Sequence, residues 1–190
     1  NILISGGHVK GERNQHIGAF GGETGFGISL QGARNVTIRD VIASDCWGDG
    51  INLQRQFKLQ YGEDTACRNI LIDNVLCIRN RRQGASVESG VDVTVRDSEL
   101  SDTSGAAPMA GIDVEPPTTP GIMRNIRLIN ITAKRNGGRG VAVSCEAADG
   151  THNDILIDGA FLQNNGAERG VGQLGLVFYG FNITARNITI

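Results

Sequence analysis

The chain has 190 residues, and its 18 Lys and Arg residues against 20 Asp and Glu residues give a net charge of −2. Such a balance argues against a nucleic-acid partner, which needs a broad basic face. No apolar run approaches the ~20 residues of a membrane-spanning helix. Hydrophobic residues make up 39% of the chain, enough for a core, so the 27 glycines do not indicate a disordered linker. The length suits one domain, residues 1–190.

A short motif recurs along the whole chain. It begins with Asn or Asp and continues with alternating apolar residues, and its starts are 23 to 34 residues apart. The starting residues are Asn1, Asn35, Asn69, Asp92, Asn125, Asp154 and Asn187. Self-similarity at such a spacing is the signature of a repeat architecture.

Two further features recur inside each unit. A turn-forming residue follows five positions after the start, at Gly6, Asp40, Asn74, Asp97, Asn130 and Gly159. Later comes a glycine followed by a second alternating stretch, at Gly27, Gly50, Gly84, Gly111, Gly140 and Gly175. The unit therefore predicts a strand, a sharp turn, a second strand, a loop, and a third strand led by glycine.

The apolar period within each unit is two, which indicates strands rather than helices. In the second unit, Val36, Ile38, Val41 and Ala43 are predicted to face inward. One such coil cannot bury its apolar side, whereas stacked coils bury a continuous ladder of Ile, Val and Leu. The sequence predicts an all-β, single-stranded parallel β-helix of about six coils, with Asn side chains bonded along the stack at the bends.

The repeat resembles the right-handed parallel β-helix of the pectin-lyase-like superfamily. The strings Trp47 to Ile51 and Gly111 to Pro116 are also similar to those of bacterial and phage β-helix proteins associated with polysaccharides. The resemblance implies a right-handed coil and a polysaccharide partner. It further implies an extracellular, periplasmic or virion-associated location, and a homotrimer if the protein is a tailspike.

Both ends of the chain lie within strand patterns. Asn1 and Ile190 have no polar cap or capping helix outside them, so we expect a segment of a longer chain. The first residues lack the basic stretch and apolar run of a signal peptide.

Four cysteines are present without the CxxC spacing of a zinc site: Cys46, Cys67, Cys77 and Cys145. Buried free thiols are expected, and a Cys46–Cys77 bridge is the alternative.

The third strand of each coil carries the residues that suggest chemistry. Asp113 and Glu115 lie two positions apart on one outward face, and Glu88 is expected beside Glu115 on the neighbouring coil. Like charges opposed across strands are unfavourable and need a compensation. Three compensations are open: a bound Ca²⁺, a proton shared between an acid and a base as in glycoside hydrolysis, or pairing with Arg in solvent.

Asp49, directly before Gly50, is a further catalytic candidate or else a turn residue. Trp47, the single Trp, could stack on a sugar or pack beneath a loop. Asn52 and Gln54 occupy the same outward columns as the carboxylates. The expected substrate-binding residues are Trp47, Asn52 and Gln54, together with the two arginines described next.

Basic residues separate a glycosidase from a polysaccharide lyase, because a lyase must neutralise the uronate carboxylate and then abstract a proton. Arg82 and Arg139 precede the glycine-led strands and border the expected groove. Loop residues Arg55, Lys58 and Tyr61 are further candidates. No cofactor is assigned from the sequence, and a metal stays an open alternative.

Loop lengths predict a groove at the carboxylates. Long loops at 54–68 and 116–124 flank a nearly absent loop at 89–90, so Glu88 and Asp113 would lie between two walls. The sequence favours a β-helix that binds and cleaves a polysaccharide as a glycosidase or lyase. The alternative is a non-catalytic glycan-binding or structural β-helix, such as a tailspike shaft or an adhesin.

Overall fold

The structure is a computed structural model and describes residues 1–17, 22–56, 65–116, 122–145, 152–167, 175–180 and 182–190. These residues form sixteen strands and one short 3₁₀ helix, Arg13–Gln15. The strands are β1 Ile2–Ser5, β2 His8–Lys10, β3 Ile28–Gln31, β4 Arg34–Arg39, β5 Ile42–Ser44, β6 Ile51–Gln54, β7 Cys67–Asp73, β8 Leu76–Ile78, β9 Ala85–Val87, β10 Gly90–Ser101, β11 Ile112–Val114, β12 Met123–Lys134, β13 Val141–Cys145, β14 His152–Gln163, β15 Leu176–Gly180 and β16 Ile183–Thr189.

The strands form two sheets in which every pair of neighbours is parallel. The ten-stranded sheet has the order β1-β4-β7-β10-β12-β14-β16, with β2, β5 and β8 beside this path. The six-stranded sheet has the order β3-β6-β9-β11-β13-β15. Each strand thus pairs with its equivalents in the preceding and following coils, and the predicted parallel β-helix is confirmed.

The core lies between the sheets and is built from aligned aliphatic residues. Val36 pairs in register with Ile70, and Ile70 with Val93. The ladder continues through Ile126 to Ile155, and all five side chains are buried. The inward positions predicted for the second coil, Val36, Ile38, Val41 and Ala43, are confirmed, because each is at most 2% exposed.

Two corners of each coil carry the predicted Asn and Asp ladders. Asn69 Nδ2 donates to Asn35 Oδ1 at 2.8 Å, and Asn74 Nδ2 donates to Asp40 Oδ1 at 2.8 Å. These residues have φ angles between +51° and +56°, a left-handed conformation that Asn and Asp tolerate better than other side chains. The corner residues therefore both turn the chain and join successive coils.

A third left-handed corner, which the sequence analysis did not predict, follows five residues later. Its members are Asp45, Arg79, Asp102, Arg135 and Asn164. The next residue in several coils is a buried Asn. Asn80 accepts from the Cys46 backbone N–H at 3.0 Å and donates to the Ala43 carbonyl at 3.2 Å, and Asn136 makes the equivalent bonds with Thr103 and Leu100. This inner ladder satisfies backbone groups that the turn would otherwise leave buried and unpaired.

The glycine column before the six-stranded sheet has a steric cause. A Cβ added to Gly50 would lie 2.7 Å from the Gly84 carbonyl oxygen. The same added atom on Gly84 or Gly111 would lie 2.5 or 2.6 Å from the carbonyl oxygen of the next glycine. The backbones of successive coils approach too closely here for any side chain. The four cysteines are buried free thiols, as expected, and the Cys46–Cys77 bridge is not formed.

Candidate active site on the six-stranded sheet

The outward columns of the six-stranded sheet follow the register expected from the sequence. Asp113 of β11 pairs with Ser86 of β9 on one side and with Ala142 of β13 on the other. The complete column is Ser29, Asn52, Ser86, Asp113, Ala142 and Val177. The Glu115 backbone N–H donates to the Val87 carbonyl at 3.1 Å, which sets Glu115 beside Glu88.

A cavity of about 530 Å³ lies over this face. Its sheet side is formed by Ser86, Glu88, Asp113 and Glu115. Its surrounding walls include Glu23, Arg82, Pro108 and Arg139. The loop that carries Pro108 is held between coils, because the Ala106 N–H donates to the Arg81 carbonyl and the Gly138 N–H to the Met109 carbonyl.

The structure describes only part of the two loops that were expected to form the walls. Residues 57–64 and 117–121, with the candidates Lys58 and Tyr61, lie outside the described residues. Pro116, at the start of the expected loop 116–124, lines the cavity. Among the described residues, Glu23 of the first coil and Ala107 and Pro108 after β10 line it as well, and these two segments were not predicted to reach the site.

Asp113 lines the cavity yet is only 2% exposed. Gln83 Nε2 donates to its Oδ2 at 3.0 Å, whereas its Oδ1 is buried with no donor among the described residues. Burial raises the pKa of Asp113 to about 7, and the charge of Glu115 and a hydrogen bond with Glu115 add to this increase. The charges of Arg82 and Arg139 oppose it. Asp113 can therefore hold a proton near neutral pH.

Glu88 is positioned by Asn52 on the preceding coil. Asn52 Nδ2 donates to Glu88 Oε1 and to Ser86 Oγ, both at 2.9 Å. Burial raises the pKa of Glu88, and the bond from Asn52 opposes that increase. Asn52 itself is fully buried and positions a carboxyl group instead of lining the cavity.

Asp49 differs from the other carboxylates because it is enclosed. Arg82 Nη1 lies 3.1 Å from its Oδ2, and Ser86 Oγ donates to the same oxygen at 2.6 Å. Burial raises the pKa of Asp49 to about 6, with Arg82 and Ser86 opposing the increase. Asp49 is 0% exposed and does not line the cavity. Its contacts fix Arg82, whose Nη2 also lies 3.3 Å from Glu23 in the cavity wall.

The remaining expected binding residues are distributed unevenly. Arg82 and Arg139 both line the cavity. Gln54 is buried and donates to Ser29 Oγ at 3.2 Å, away from the cavity. Trp47 is stacked on His16 with ring centroids 3.8 Å apart, and the Arg81 guanidinium lies 4.1 Å from its ring centroid. Of the two alternatives left open for Trp47, the structure shows packing against the chain's own residues.

Sequence reasoning missed Gln83. The residues directly before the glycines form a column, because the N–H groups of Gly50, Gly84 and Gly111 donate to the carbonyls of Gln83, Ala110 and Arg139. That column places Gln83 beside Ala110, whereas Asp113 pairs with Ser86. The contact between Gln83 and Asp113 is made by the long Gln83 side chain, which the register alone does not predict.

A bound calcium ion was one of the three compensations left open for the clustered carboxylates. In the part of the chain that the structure describes, no group of three or more His, Cys, Asp or Glu side chains is arranged to hold a metal ion. Asp49 is paired with Arg82, and the raised pKa of Asp113 allows a proton to neutralise that carboxyl group near neutral pH.

The protein-family model described as the right-handed β-helix region matches residues 1–115 of this chain. The chain belongs to this right-handed β-helix family. Two Bacillus subtilis (strain 168) proteins are similar to it, each over 60% of this chain. They are the uncharacterized protein YclG, 37% identical over 123 residues, and the SPbeta prophage-derived uncharacterized protein YorA, 30% identical over 125 residues. The chain spans about a fifth (21%) of the length of each relative.

One solved structure resembles the whole chain. It is the tailspike protein gp49 of Acinetobacter baumannii bacteriophage Fri1, a capsular polysaccharide depolymerase. The TM-score is 0.61 at 19% identity, covering 98% of this chain and 31% of gp49. At that identity the likeness concerns the fold. Within the described ranges, no helix is long and apolar enough to cross a membrane.

Proposed function

We propose that this β-helix binds a polysaccharide on the outer face of the six-stranded sheet and cleaves it as a glycosidase. Asp113 acts as the general acid, and Glu115 or Glu88 supplies the second carboxylate. The observation that carries the proposal is Asp113 itself, a buried carboxyl group that faces an open cavity and has a pKa of about 7. It shares that cavity with the carboxyl groups of Glu23, Glu88 and Glu115.

Hydrolysis of a glycosidic bond needs one protonated and one ionised carboxyl group. In the proposed reaction, Asp113 gives its proton to the oxygen of the leaving sugar as the bond between that oxygen and the anomeric carbon breaks. The ionised carboxylate either takes a proton from the water that attacks the anomeric carbon from the other side of the ring, or attacks that carbon itself to form a glycosyl ester. In the second case water hydrolyses the ester, and ionised Asp113 takes the water's proton. Gln83 positions Asp113 through Oδ2, and Asn52 positions Glu88 through Oε1.

The two arginines of the cavity have different roles. Arg82 is bound to Asp49 and Glu23, so its charge is largely committed within the protein. Arg139 lines the cavity, and no carboxylate pairs with it among the described residues. Arg139 is thus the cation that would contact a polar or acidic group of the sugar. A lyase remains the nearest alternative, with Arg139 opposite a uronate carboxylate.

The relatives support a polysaccharide as partner without specifying it. The structural neighbour gp49 is a capsular polysaccharide depolymerase on a tailspike, and YorA is derived from a prophage. We accordingly extend the proposal to an extracellular or virion-associated location, and to trimers if the protein belongs to a tailspike. Light scattering of the protein would test the trimer.

The test is cleavage by the protein and by Asp113→Asn. The probes are purified capsular polysaccharides together with polygalacturonate, alginate, hyaluronan, dextran and xylan. Release of reducing ends would report cleavage, and ultraviolet absorbance of unsaturated products would report a lyase. We expect reducing ends without unsaturated products, and a loss of turnover of about 10²-fold or more in Asp113→Asn, because removal of a general acid costs that much.

Matched variants make the result specific. Asp97→Asn changes an exposed corner carboxylate on the other sheet, and an Asn there can still accept from Asn130, as Asn35 does from Asn69. It should leave turnover unchanged. Glu88→Gln and Glu115→Gln identify the second carboxylate. Full turnover in Asp113→Asn would remove Asp113 from the mechanism, and unsaturated products would replace the glycosidase by a lyase.

A further inference from the structure

Tyr179 lies on the same outward column as Glu88 and Glu115, next to the column that contains Asp113. In the register of the six-stranded sheet it pairs with Ser144, and Val177 on the same strand pairs with Ala142. Continuing the register from Asp113 and Val114 sets Ser144 beside Glu115. Tyr179 is thus two coils from Glu115, or about 10 Å at the usual strand spacing of ~4.8 Å.

One short strand, β13, separates the carboxylates from Tyr179. On this face it carries the small residues Ala142, which is buried, and Ser144, which is partly exposed. Arg139 lines the cavity at one end, and its guanidinium carbon lies 5.8 Å from the Tyr179 ring centroid at the other. One arginine therefore joins the cavity to the tyrosine ring.

Tyr179 is the aromatic member of a column that is otherwise polar. The neighbouring Phe178 pairs with inward-facing Val143 and belongs to the core side of β15. Tyr179 faces the opposite way and is 48% exposed. The other members of its column are polar: Gln31, Gln54, Glu88, Glu115 and Ser144. A half-exposed ring with one polar edge suits a ligand that is apolar on one face and hydrated on the other.

We propose that Tyr179 is a stacking platform for a pyranose ring, in a subsite separate from the carboxylates. The glycan then runs along the axis of the β-helix, across successive coils, and not along the strands. A pyranose unit has about the length of one strand spacing, so the ring on Tyr179 is about two sugars from the bond above Asp113. This inference rests on the proposed function and adds to it the direction of the glycan and an endo mode of cleavage.

The test measures binding separately from cleavage. Asp113→Asn provides a background that does not consume the probe, and affinity electrophoresis through gels containing each polysaccharide of the panel reports binding. Tyr179→Ala is added to this background and compared with Tyr179→Phe, which keeps the ring. Phe161→Ala is the matched control, because Phe161 is 42% exposed on the ten-stranded sheet.

One polysaccharide of the panel should retard Asp113→Asn in the gel. We expect the variant that also carries Tyr179→Ala to bind this polysaccharide about 3- to 10-fold more weakly than Asp113→Asn alone, since aromatic contacts contribute about 0.5–1.5 kcal/mol. Tyr179→Phe and Phe161→Ala should bind normally. In the cleaving protein, Tyr179→Ala should raise KM while kcat stays within about twofold. Undiminished binding by Tyr179→Ala overturns the platform and leaves the proposed function intact. A protein that neither binds nor cleaves any probe overturns the proposed function and the platform together.

Discussion

The pKa values of the carboxyl groups on the outer faces of the two sheets are shifted in opposite directions. On the ten-stranded sheet, Asp side chains bind Arg on a neighbouring coil, in the pairs Arg96–Asp73, Arg127–Asp154 and Arg186–Asp158. Hydrogen bonds from these arginines hold the pKa of each Asp below its usual value. On the six-stranded sheet, burial raises the pKa values of Asp49, Glu88 and Asp113.

The difference shows where the molecule tolerates unfavourable electrostatics. On the ten-stranded sheet, the three pairs join an acidic and a basic residue of neighbouring coils, so these charges are compensated in solvent. Four carboxyl groups line the cavity, and its described cations are Arg82, which is bound to Asp49 and Glu23, and Arg139. A carboxyl group kept in such surroundings is a candidate for acid–base chemistry.

The largest expected loss of stability comes from breaking the ion pair between Arg82 and Asp49 beneath the cavity. Arg82→Met removes the partner of Asp49, which is fully buried. We expect the free energy of unfolding at pH 8 to fall by about 3–5 kcal/mol, because the variant leaves a buried charge uncompensated. Denaturant unfolding at several pH values measures this.

The pH dependence of that loss identifies its cause. Burial already raises the pKa of Asp49 to about 6, and removing Arg82 raises it further. At pH 5 Asp49 in the variant is therefore protonated, and the loss should be much smaller than at pH 8. An equal loss at both pH values would assign the effect to packing and not to the charge.

A smaller effect of opposite sign is expected for Asp113→Asn. A carboxyl group whose pKa is raised in the folded state stabilises the fold below its unfolded pKa of about 3.9, and this contribution is lost as pH rises through the folded value of about 7. The Asn side chain resembles the protonated acid at every pH. It can still accept from Gln83, and its amide can donate to Glu115, with which Asp113 shares a hydrogen bond.

Asp113→Asn should therefore match the unmodified protein at pH 4 and exceed its free energy of unfolding at pH 8 by about 1–3 kcal/mol. Thermal unfolding at the two pH values measures the difference. A variant that is less stable than the unmodified protein at pH 8 would show that the ionised form of Asp113 is stabilised in the fold, contrary to the structure.

The smallest effect is expected on the other sheet. Arg127→Met makes the same substitution as Arg82→Met, and it breaks an exposed pair with Asp154. Exposed pairs contribute about 0–1 kcal/mol, and salt screens them. We expect a change below about 1 kcal/mol that diminishes further in 1 M NaCl. A loss as large as that of Arg82→Met would remove the contrast between the sheets.

Periodicity was sufficient to predict the register. Once the glycine-led strands were aligned, the column from Ser29 to Val177 followed, and Asp113 was expected between Ser86 and Ala142, as the structure has it. The first two corners were also predicted, because Asn and Asp recur there. These features depend on residues at fixed positions in every coil.

Other features depend on contacts between coils and were not predicted. The third corner is occupied by Asp, Arg and Asn in different coils, so it carries no common residue. The enclosure of Asp49 depends on Arg82 of the next coil, and the cavity wall depends on the course of the loop that carries Pro108. Trp47 was ambiguous for the same reason, since His16 comes from the preceding coil.

The most direct test is a carboxyl-carbon NMR titration of Asp113, assigned by the loss of its resonance in Asp113→Asn. The structure predicts an apparent pKa of about 7 for Asp113. Asp154, which binds Arg127 on the other sheet, should titrate below its usual value of 3.8 in the same experiment. A titration of Asp113 near 4 would contradict the account, because the cavity would then lack its acid at neutral pH.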